Sequence, residues 1–482
     1  MKKPLQVMKF GGTSVGDASC ITRVAKILSD AARDHAVVAV VSAMSGVTNR
    51  LIEAANSAEE GDRERVAQLF DALHEQHRTA LNALIDQDGE RTRLSAVLEE
   101  VLDEGRRLCE GTALLHELTP RTLDTVSSLG ERLSAPLVAG ALRELGAHSE
   151  AIEATELIVT DSYHGGAEPL MDKTRERSQA RLGPLLEQGI IPIVTGFIGA
   201  TADGELTTLG RGGSDYSGTI LGAALDANEV IIWTDVDGVL TADPRLVSDA
   251  RTIPEISYRE AAELAYFGAK VLHPKTLRAV MQAQIPVWIR NSFEPEKTGT
   301  KITPQGRSNG GGVKALTAIR DVTLIAVGGP GIVGLPDVVG RTFSTTAEVR
   351  ANVLLISQSS SQNDICFIVA STDAKRTVEA LRAEFAQDVA HEKVEHITAD
   401  PTIAVVAVVG ENMQGTPGVA GRTFSALGRE NVNIIAIAQG SSECNISFVV
   451  AEKDMKAALI ATHREFCLGV DSPRARTGKA PL

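Results

Sequence analysis

Residues 5–17 read LQVMKFGGTSVGD: an apolar run of strand length, a pair of glycines, and the start of a helix. Gly11 and Gly12 carry no side chain, so their backbone N–H groups can approach an anion, and the helix N-terminus beyond them adds the positive end of its dipole. Lys9, at the end of the strand, supplies a full positive charge. Two glycines would also serve a plain strand-to-helix turn, so the rest of the chain has to decide.

It decides by alternation. AVVAVVSA (36–43), IIPIVTGFI (190–198), EVIIWTD (229–235) and IPVWIRN (285–291) are further β-branched runs. Amphipathic stretches of helical period cover Ala18–Ala32, Thr174–Gln188, Ser217–Leu225 and Tyr258–Phe267. This order predicts an α/β domain over residues 1–302, a mainly parallel sheet with helices on both faces. Residues 62–118 interrupt it. Rich in Glu, Arg, Leu and Ala, with no β-branched run, they read as a two-helix excursion with a solvated charged face.

PQGRSNGGGVK (304–314) marks a linker over 303–318. Beyond it the chain repeats itself without a gap. Gly334 matches Gly415, Phe343 matches Phe424, Gln358 matches Gln439 and Ile365 matches Ile446, 81 residues apart each time. Two copies of one β-α-β-β unit, over 319–398 and 399–482, suggest a regulatory or dimerisation module.

At 482 residues the chain can build several cores, and with 43% apolar and 23% charged residues its balance is that of soluble domains. A net charge of −14 argues against nucleic-acid and anionic-membrane partners, so any anionic substrate must be met by local Lys and Arg. Five scattered cysteines, an odd number without a C-x-x-C pair, fit reduced thiols and neither a disulfide framework nor a zinc site. The longest apolar runs, near Val37–Val41 and Ile403–Val409, are strand-sized, and the N-terminus has no signal-like stretch; a cytoplasmic protein is expected.

Three more clusters carry polar chemistry. SAMSGVTN (42–49) loads a strand-to-helix turn with hydroxyls that serve as helix caps or as donors to a small ligand. SLGERLS (128–134) buries Glu131 on an apolar segment, where it needs a cation: a structural Arg or a substrate ammonium. TTLGRGGSDYSG (207–218) sets Arg211, Ser214 and Asp215 in a glycine-rich turn, and Arg211 there suits bidentate capture of a carboxylate or phosphate. WTDVDGVLTADPR (233–245) puts Asp235 just past a strand, where open α/β sheets bind ligands, and FGAKVLHPKT (267–276) puts Lys270 near a turn. Asp235 and Asp237 lack the further ligands of a calcium loop, and no resident metal site is expected. Neither a G-x-x-x-x-G-K-[ST] loop nor protein-kinase motifs occur. Gly329, Gly331 and Gly334 spell G-x-G-x-x-G, but the following strand, NVLLISQSSS, lacks the acidic residue a dinucleotide would need.

With KFGGTSV, SAMSGVTN, GERLS, GFIGAT, TTLGRGGSDYS, WTDVDGV, DPR and ELAYFGAKVLHP in this order, the chain resembles the aspartate kinases of the amino-acid kinase family, from about residue 5 to residue 468. The repeats resemble ACT domains, ferredoxin-like modules that bind amino acids, one typically inserted within the other. The resemblance implies transfer of the γ-phosphoryl group of ATP, with Mg2+, to the side-chain carboxylate of L-aspartate. It places Ser42, Thr48, Glu131, Arg211, Ser214 and Asp215 around the aspartate. Arg211 would take the α-carboxylate and Glu131 the α-ammonium, directly or indirectly. Lys9 and Lys270 would sit on the phosphates beside Gly11, Gly12, Thr13 and Ser14, with Thr234, Asp235, Leu240 and Arg245 near the nucleotide. Related loops often carry Tyr where Leu240 stands, which puts in doubt any stacking or hydrogen bond there. Asn445 fits the ACT pattern x-N-I-S, but its counterpart is Asp364, so the copies would bind effector differently; Gln358 and Gln439 would take part. ISQSSS and IAQGSS resemble threonine-responsive more than lysine-responsive enzymes. A homodimer or dimer of dimers through the ACT strands is implied. From the chain's end soon after the second repeat, no fused dehydrogenase is expected. Kinases of glutamate, acetylglutamate or a carbamoyl donor would not need this tandem repeat together with GERLS and TTLGRGGSD. The rival from another class is a non-catalytic amino-acid sensor that keeps the fold.

Overall fold

The computed structural model describes residues 3–268, 272–306, 312–329, 336–358, 364–413, 415–440 and 444–469. The chain divides into two compact units. One comprises Met1–Val239, Thr252–Tyr258 and Val271–Gly306, the other Leu240–Arg251, Arg259–Lys270 and Arg307–Leu482.

The first unit is built on an eight-stranded sheet. In order across it the strands are Ser149–Ile152, Ile191–Thr195, Ala36–Val41, Leu5–Phe10, Glu229–Thr234, Val287–Asn291, Thr300–Thr303 and Glu255–Ser257. Every neighbouring pair is parallel except Val287–Asn291 with Thr300–Thr303. The central strands are buried almost end to end, as parallel strands covered by helices on both faces must be. The α/β expectation therefore holds. Residues 62–118 contain two long helices, Arg63–Leu84 and Asp88–Leu115.

The helix Pro120–Glu144 runs through the middle of this unit. Thr119 caps it by accepting from the Thr122 N–H, and Pro120 fits the first turn, where no N–H is required. Sixteen of its 25 residues are buried, so it is a core helix, and its acidic residues Asp124 and Glu131 lie inside protein. A small sheet of Val159–Thr160, Ile198–Thr201 and Leu206–Thr208 leads into the glycine-rich turn.

The second unit centres on a six-stranded sheet, ordered Val353–Gln358, Asp364–Ala370, Ala315–Gly328, His396–Val409, Asn445–Ala451 and Ala436–Ala438. The two 14-residue strands pair antiparallel at its centre, Ala315 opposite Val409 and Gly328 opposite His396. The 81-residue offset carries Ala315 onto His396 and Gly328 onto Val409, so a local two-fold axis passes between these strands. Asn445–Ala451 pairs with Ile403–Val409, which pairs on its other side with the stretch beginning at Ala315. The second copy thus draws its fourth strand from residues that precede the first copy, and this nests one ACT fold within the other. Ala242 and Val247 lie in the apolar core of the second copy. No helix among the described residues is long and apolar enough to cross a membrane.

Candidate active site

The strand Leu5–Phe10 lies between Ala36–Val41 and Glu229–Thr234, and the sheet grows outward from it in both directions. Open α/β sheets bind ligands at such a switch point, beyond the carboxyl ends of the strands. Here those ends carry Lys9, Gly11–Ser14, Ser42, Thr234 and Asp235.

Lys9 is 7% exposed, and its ammonium meets the Asp215 carboxylate at 2.5 Å. Gly11 donates to the Trp233 carbonyl at 3.1 Å, and Ser14 donates to the Gly11 carbonyl at 2.9 Å, which curls the chain into a turn. The Ser14 hydroxyl shares a hydrogen with that of Ser292 at 2.8 Å, while Thr13 is exposed. The expected contribution of a free helix end is not what forms. The helix begins at Ala18, and Asp17 caps it by accepting from the Cys20 N–H at 2.9 Å. That bond holds the Asp17 carboxyl below its usual range. The positive end of this helix is already matched by a carboxylate, so the N–H groups left for an anion are those of Gly12 and Thr13 in the turn, since Gly11 and Ser14 spend theirs on carbonyls.

The second hydroxyl cluster is not spent on capping. Gly46, in the left-handed region, is the N-cap of helix Val47–Glu59 and makes no side-chain bond. Ser42 and Thr48 are half-buried; the Ser42 backbone is held by its N–H to the Phe10 carbonyl and by the Ser134 hydroxyl on its own carbonyl.

Glu131 lies at the centre. It is 3% exposed, and its Oε2 has no partner among the described residues. Burial pushes its pKa up to about 8, against the opposing pull of the Ala43 N–H, the Lys9 charge and the Ser214 hydroxyl. The cation near it is thus Lys9, not a structural Arg. A buried carboxyl with one oxygen bare is a receptor for a proton or an ammonium.

Arg211 stands exposed between Gly210 and Gly212, both in the left-handed region at φ 75° and 73°. L side chains rarely adopt that backbone, so glycine on each side lets the turn reverse around the arginine. Ser214 and Asp215 then open the helix Gly213–Ala224. A Cβ at Gly196 would lie 2.8 Å from the Ser214 Cβ, so only glycine lets strand end and helix meet. Phe197, beside it, sits at φ 71°, a conformation that costs a non-glycine residue about 1–2 kcal/mol. Its N–H donates to the Ser217 hydroxyl at 2.9 Å and its carbonyl accepts from Leu209 at 2.9 Å. A phenylalanine in an apolar strand reads as core, so nothing in the residue string marks it as a strained part of a site.

Thr234 donates its hydroxyl to the exposed Asp235 carboxylate at 3.1 Å. Leu240 and Arg245 belong to the second unit; Leu240 is half-buried, and the Arg245 guanidinium forks onto Asp243, Nε to Oδ1 at 3.0 Å and Nη2 to Oδ2 at 2.7 Å. Lys270 lies outside the described residues, as do Gly331 and Gly334. In the repeats Gln358 and Gln439 are exposed. Asp364 pairs with His396 at 3.1 Å, whereas the Asn445 amide donates to the Glu263 carboxylate.

Sequence reading also passed over Asp124, seven residues before Glu131 on the same helix. It is buried and accepts from the Thr208 hydroxyl at 2.6 Å, the Thr208 N–H at 3.1 Å, the Gly165 N–H at 3.0 Å and His164 Nδ1 at 3.0 Å.

Residues 4–291 match the amino acid kinase family, and residues 325–385 and 406–466 each match the ACT domain. Among curated relatives, the chain is 37% identical over 469 residues to a bifunctional aspartokinase/homoserine dehydrogenase 1, chloroplastic, of Arabidopsis thaliana, covering 96% of this chain and 51% of that protein. It is 32% identical to the chloroplastic aspartokinase 1 of the same plant, covering 95% of this chain and 80% of that protein. The chain therefore spans about half the length of the bifunctional relatives. Among solved structures it superposes on E. coli aspartokinase III in complex with aspartate and ADP, with a TM-score of 0.80, 32% identity and coverage of 96% and 99% of the two chains. The aspartate kinase of Clostridium acetobutylicum gives 0.80 at 26% identity, with coverage of 96% and 100%.

Proposed function

The chain belongs to the amino acid kinase family, in the aspartokinase branch with paired ACT domains, and from that premise we propose that it phosphorylates the side-chain carboxylate of L-aspartate with Mg-ATP. The observation that carries this reading is the bare buried oxygen of Glu131, set beside Lys9 and Ser214 at the switch point of the sheet. It fits the ammonium of an amino acid whose own carboxylates are met by cations.

In this reading Arg211 binds the α-carboxylate, Glu131 the α-ammonium, and Ser42, Thr48 and Ser214 hydrogen-bond the rest of the substrate. Lys9, held by Asp215, lies between the attacking carboxylate and the triphosphate. Gly11, Gly12, Thr13 and Ser14 form the turn around the phosphates, with the Gly12 and Thr13 N–H groups and the Thr13 hydroxyl as its donors. Thr234 and Asp235 belong to the nucleotide's surroundings. The nucleophile is already ionised at neutral pH, so no strong general base is needed. The work is to hold two anions in line and to stabilise charge on the transferring group. Mg2+ arrives as part of the ATP substrate.

The product, 4-phospho-L-aspartate, would open the route to lysine, threonine and methionine, with threonine favoured over lysine as the inhibitor at the ACT domains. Gln358 and Asp364 would take part at the first copy, and Gln439 at the second. Asn445 is already engaged by Glu263, which supports unequal use of the two copies. Ile356 and Ile437, 81 residues apart on the outer strands of the six-stranded sheet, are both exposed, in keeping with a homodimer or dimer of dimers formed through these edges. Free cysteines fit a reducing compartment, and a cytoplasmic site of action belongs to the same reading.

Hydroxylamine trapping tests the reaction. Hydroxamate should form from Mg-ATP with L-aspartate and not with L-glutamate, and should fall when threonine is added. A folded, ATP-binding protein that makes no hydroxamate is the sensor, not the kinase.

A further inference from the structure

The turn that carries Arg211 has no side chains of its own to stiffen it, since glycines flank the arginine on both sides. Something must hold it from outside. On the side nearer the C-terminus the helix Gly213–Ala224 does so, with the Gly213 N–H donating to the Gly210 carbonyl at 2.9 Å. On the other side Thr208 is fastened at every polar atom it has. Its N–H and hydroxyl both donate to Asp124, and its carbonyl accepts from Ala167 at 2.8 Å. The same carboxylate collects the loop around His164 and Gly165, and a Cβ at Gly210 would come within 2.9 Å of the Gly165 carbonyl. One buried anion thus gathers a loop, a strand end and the glycine turn, and all its donors come from those segments.

We infer that Asp124 is a positioning residue for the amino-acid substrate, holding the Arg211 turn against the His164–Gly165 loop without touching the substrate itself. The inference rests on the aspartate kinase reading and adds a division of labour within one helix. Glu131 faces the ligand, and Asp124, two turns earlier, fixes the arginine opposite in charge to the substrate's α-carboxylate. A carboxylate is required because every group pointing at it is a donor; an amide would turn its own N–H groups towards some of them. The nucleotide turn at Gly11–Ser14 makes no bond to Asp124, so the two substrates should feel its loss unequally.

The experiment compares the full-length protein with Asp124→Asn and with the milder Thr208→Val, which deletes only the hydroxyl bond. Asp124→Asn should raise the KM for L-aspartate about tenfold or more, as expected when buried donors lose a charged acceptor, while the KM for ATP stays within about twofold. Thr208→Val should shift the same constant in the same direction by less. Amide hydrogen exchange is read on the same proteins without substrate, and protection over 207–213 and 164–167 should fall in Asp124→Asn while that of 5–10 does not. Equal losses for both substrates, or unchanged exchange over 207–213, overturn the inference. Absence of hydroxamate from the unaltered protein would overturn the aspartate reading alone, because the exchange measurement stands without it.

Discussion

Glu131 and Glu260 are two glutamates fully enclosed in protein, each on a helix, one in each unit, and they have been given opposite surroundings. Glu260 is met by Lys314 at 2.7 Å, with side chains 0% and 4% exposed, and its other oxygen accepts from the Glu411 N–H at 2.8 Å. Glu131 has a bare oxygen and a pKa near 8. A buried carboxylate with its cation built in closes a joint. One without it is an unfilled contact, and desolvation makes that unfavourable until a ligand fills it. The difference separates a residue that holds the second unit together from one left open to a ligand.

The comparison breaks most visibly at Lys314. Removing one partner of a buried pair strands the other, at a cost of about 3–5 kcal/mol. Lys314→Ala should lower the urea midpoint of the second unit accordingly. The position 81 residues on is Glu395, which is exposed, and Glu395→Ala should cost about 0.5 kcal/mol or less. Replacing both members, Lys314→Met with Glu260→Leu, should restore part of the loss, since an apolar pair of similar volume leaves no buried charge unpaired while the Glu411 N–H loses its acceptor. If Lys314→Ala proves as mild as Glu395→Ala, the joint is not held by this pair.

Glu131→Gln should do the reverse, weakening function while leaving stability alone. The KM for L-aspartate should rise by about 10- to 100-fold from loss of a charged partner. Folding stability at pH 8 should be no lower than that of the unaltered protein. Between the unfolded value of 4.5 and about 8, the native state keeps a proton on Glu131 that the unfolded chain has released. Stability from this group therefore falls as pH rises through that window, by at most about 1.4 kcal/mol per unit. The glutamine variant should lack that slope. An ammonium prefers the ionised form, so affinity for aspartate should improve with pH up to about 8 and then level off. A KM for aspartate that is flat from pH 6 to 8 would contradict the assignment of Glu131 as the ammonium's partner.

Much of this architecture could be read from the residues because the relevant forces are local or repetitive. Strands such as Ala36–Val41 are covered on both faces, so they appear as unbroken apolar runs. The repeat kept even its side-chain contacts. Arg341 stacks on Phe385 and pairs with Glu384, and 81 residues on Arg422 stacks on Phe466 and pairs with Glu465. What stayed hidden was made by tertiary contact. Asp124 is an ordinary polar residue in the string until Thr208 and Gly165 close on it. Phe197 looks like core until its backbone angle is known. The packing of Ala242 and Val247 into the second copy follows from no local pattern, although the DPR segment beside them was legible as a motif. Asp17 shows the opposite error, where a good local argument for a free helix dipole failed because the neighbouring carboxylate had already satisfied it.

The smallest expected effect lies at a corner where the two copies differ. In the second copy Asn445 donates to Glu263, and an aspartate there would set two carboxylates against each other, so asparagine follows from that contact. In the first copy Asp364 meets His396 at the surface, with side chains 42% and 38% exposed, and such a pair contributes about 1 kcal/mol at most. A carboxylate so lightly held can exchange its partner for the ammonium of an effector with little loss. Asp364→Asn should therefore leave stability within about 0.5 kcal/mol and weaken feedback inhibition by roughly 3- to 10-fold, read as a shift in the half-inhibitory threonine concentration. An inhibition curve that does not move would mean that the effector makes no use of this carboxylate, and the asymmetry between the copies would then concern packing alone.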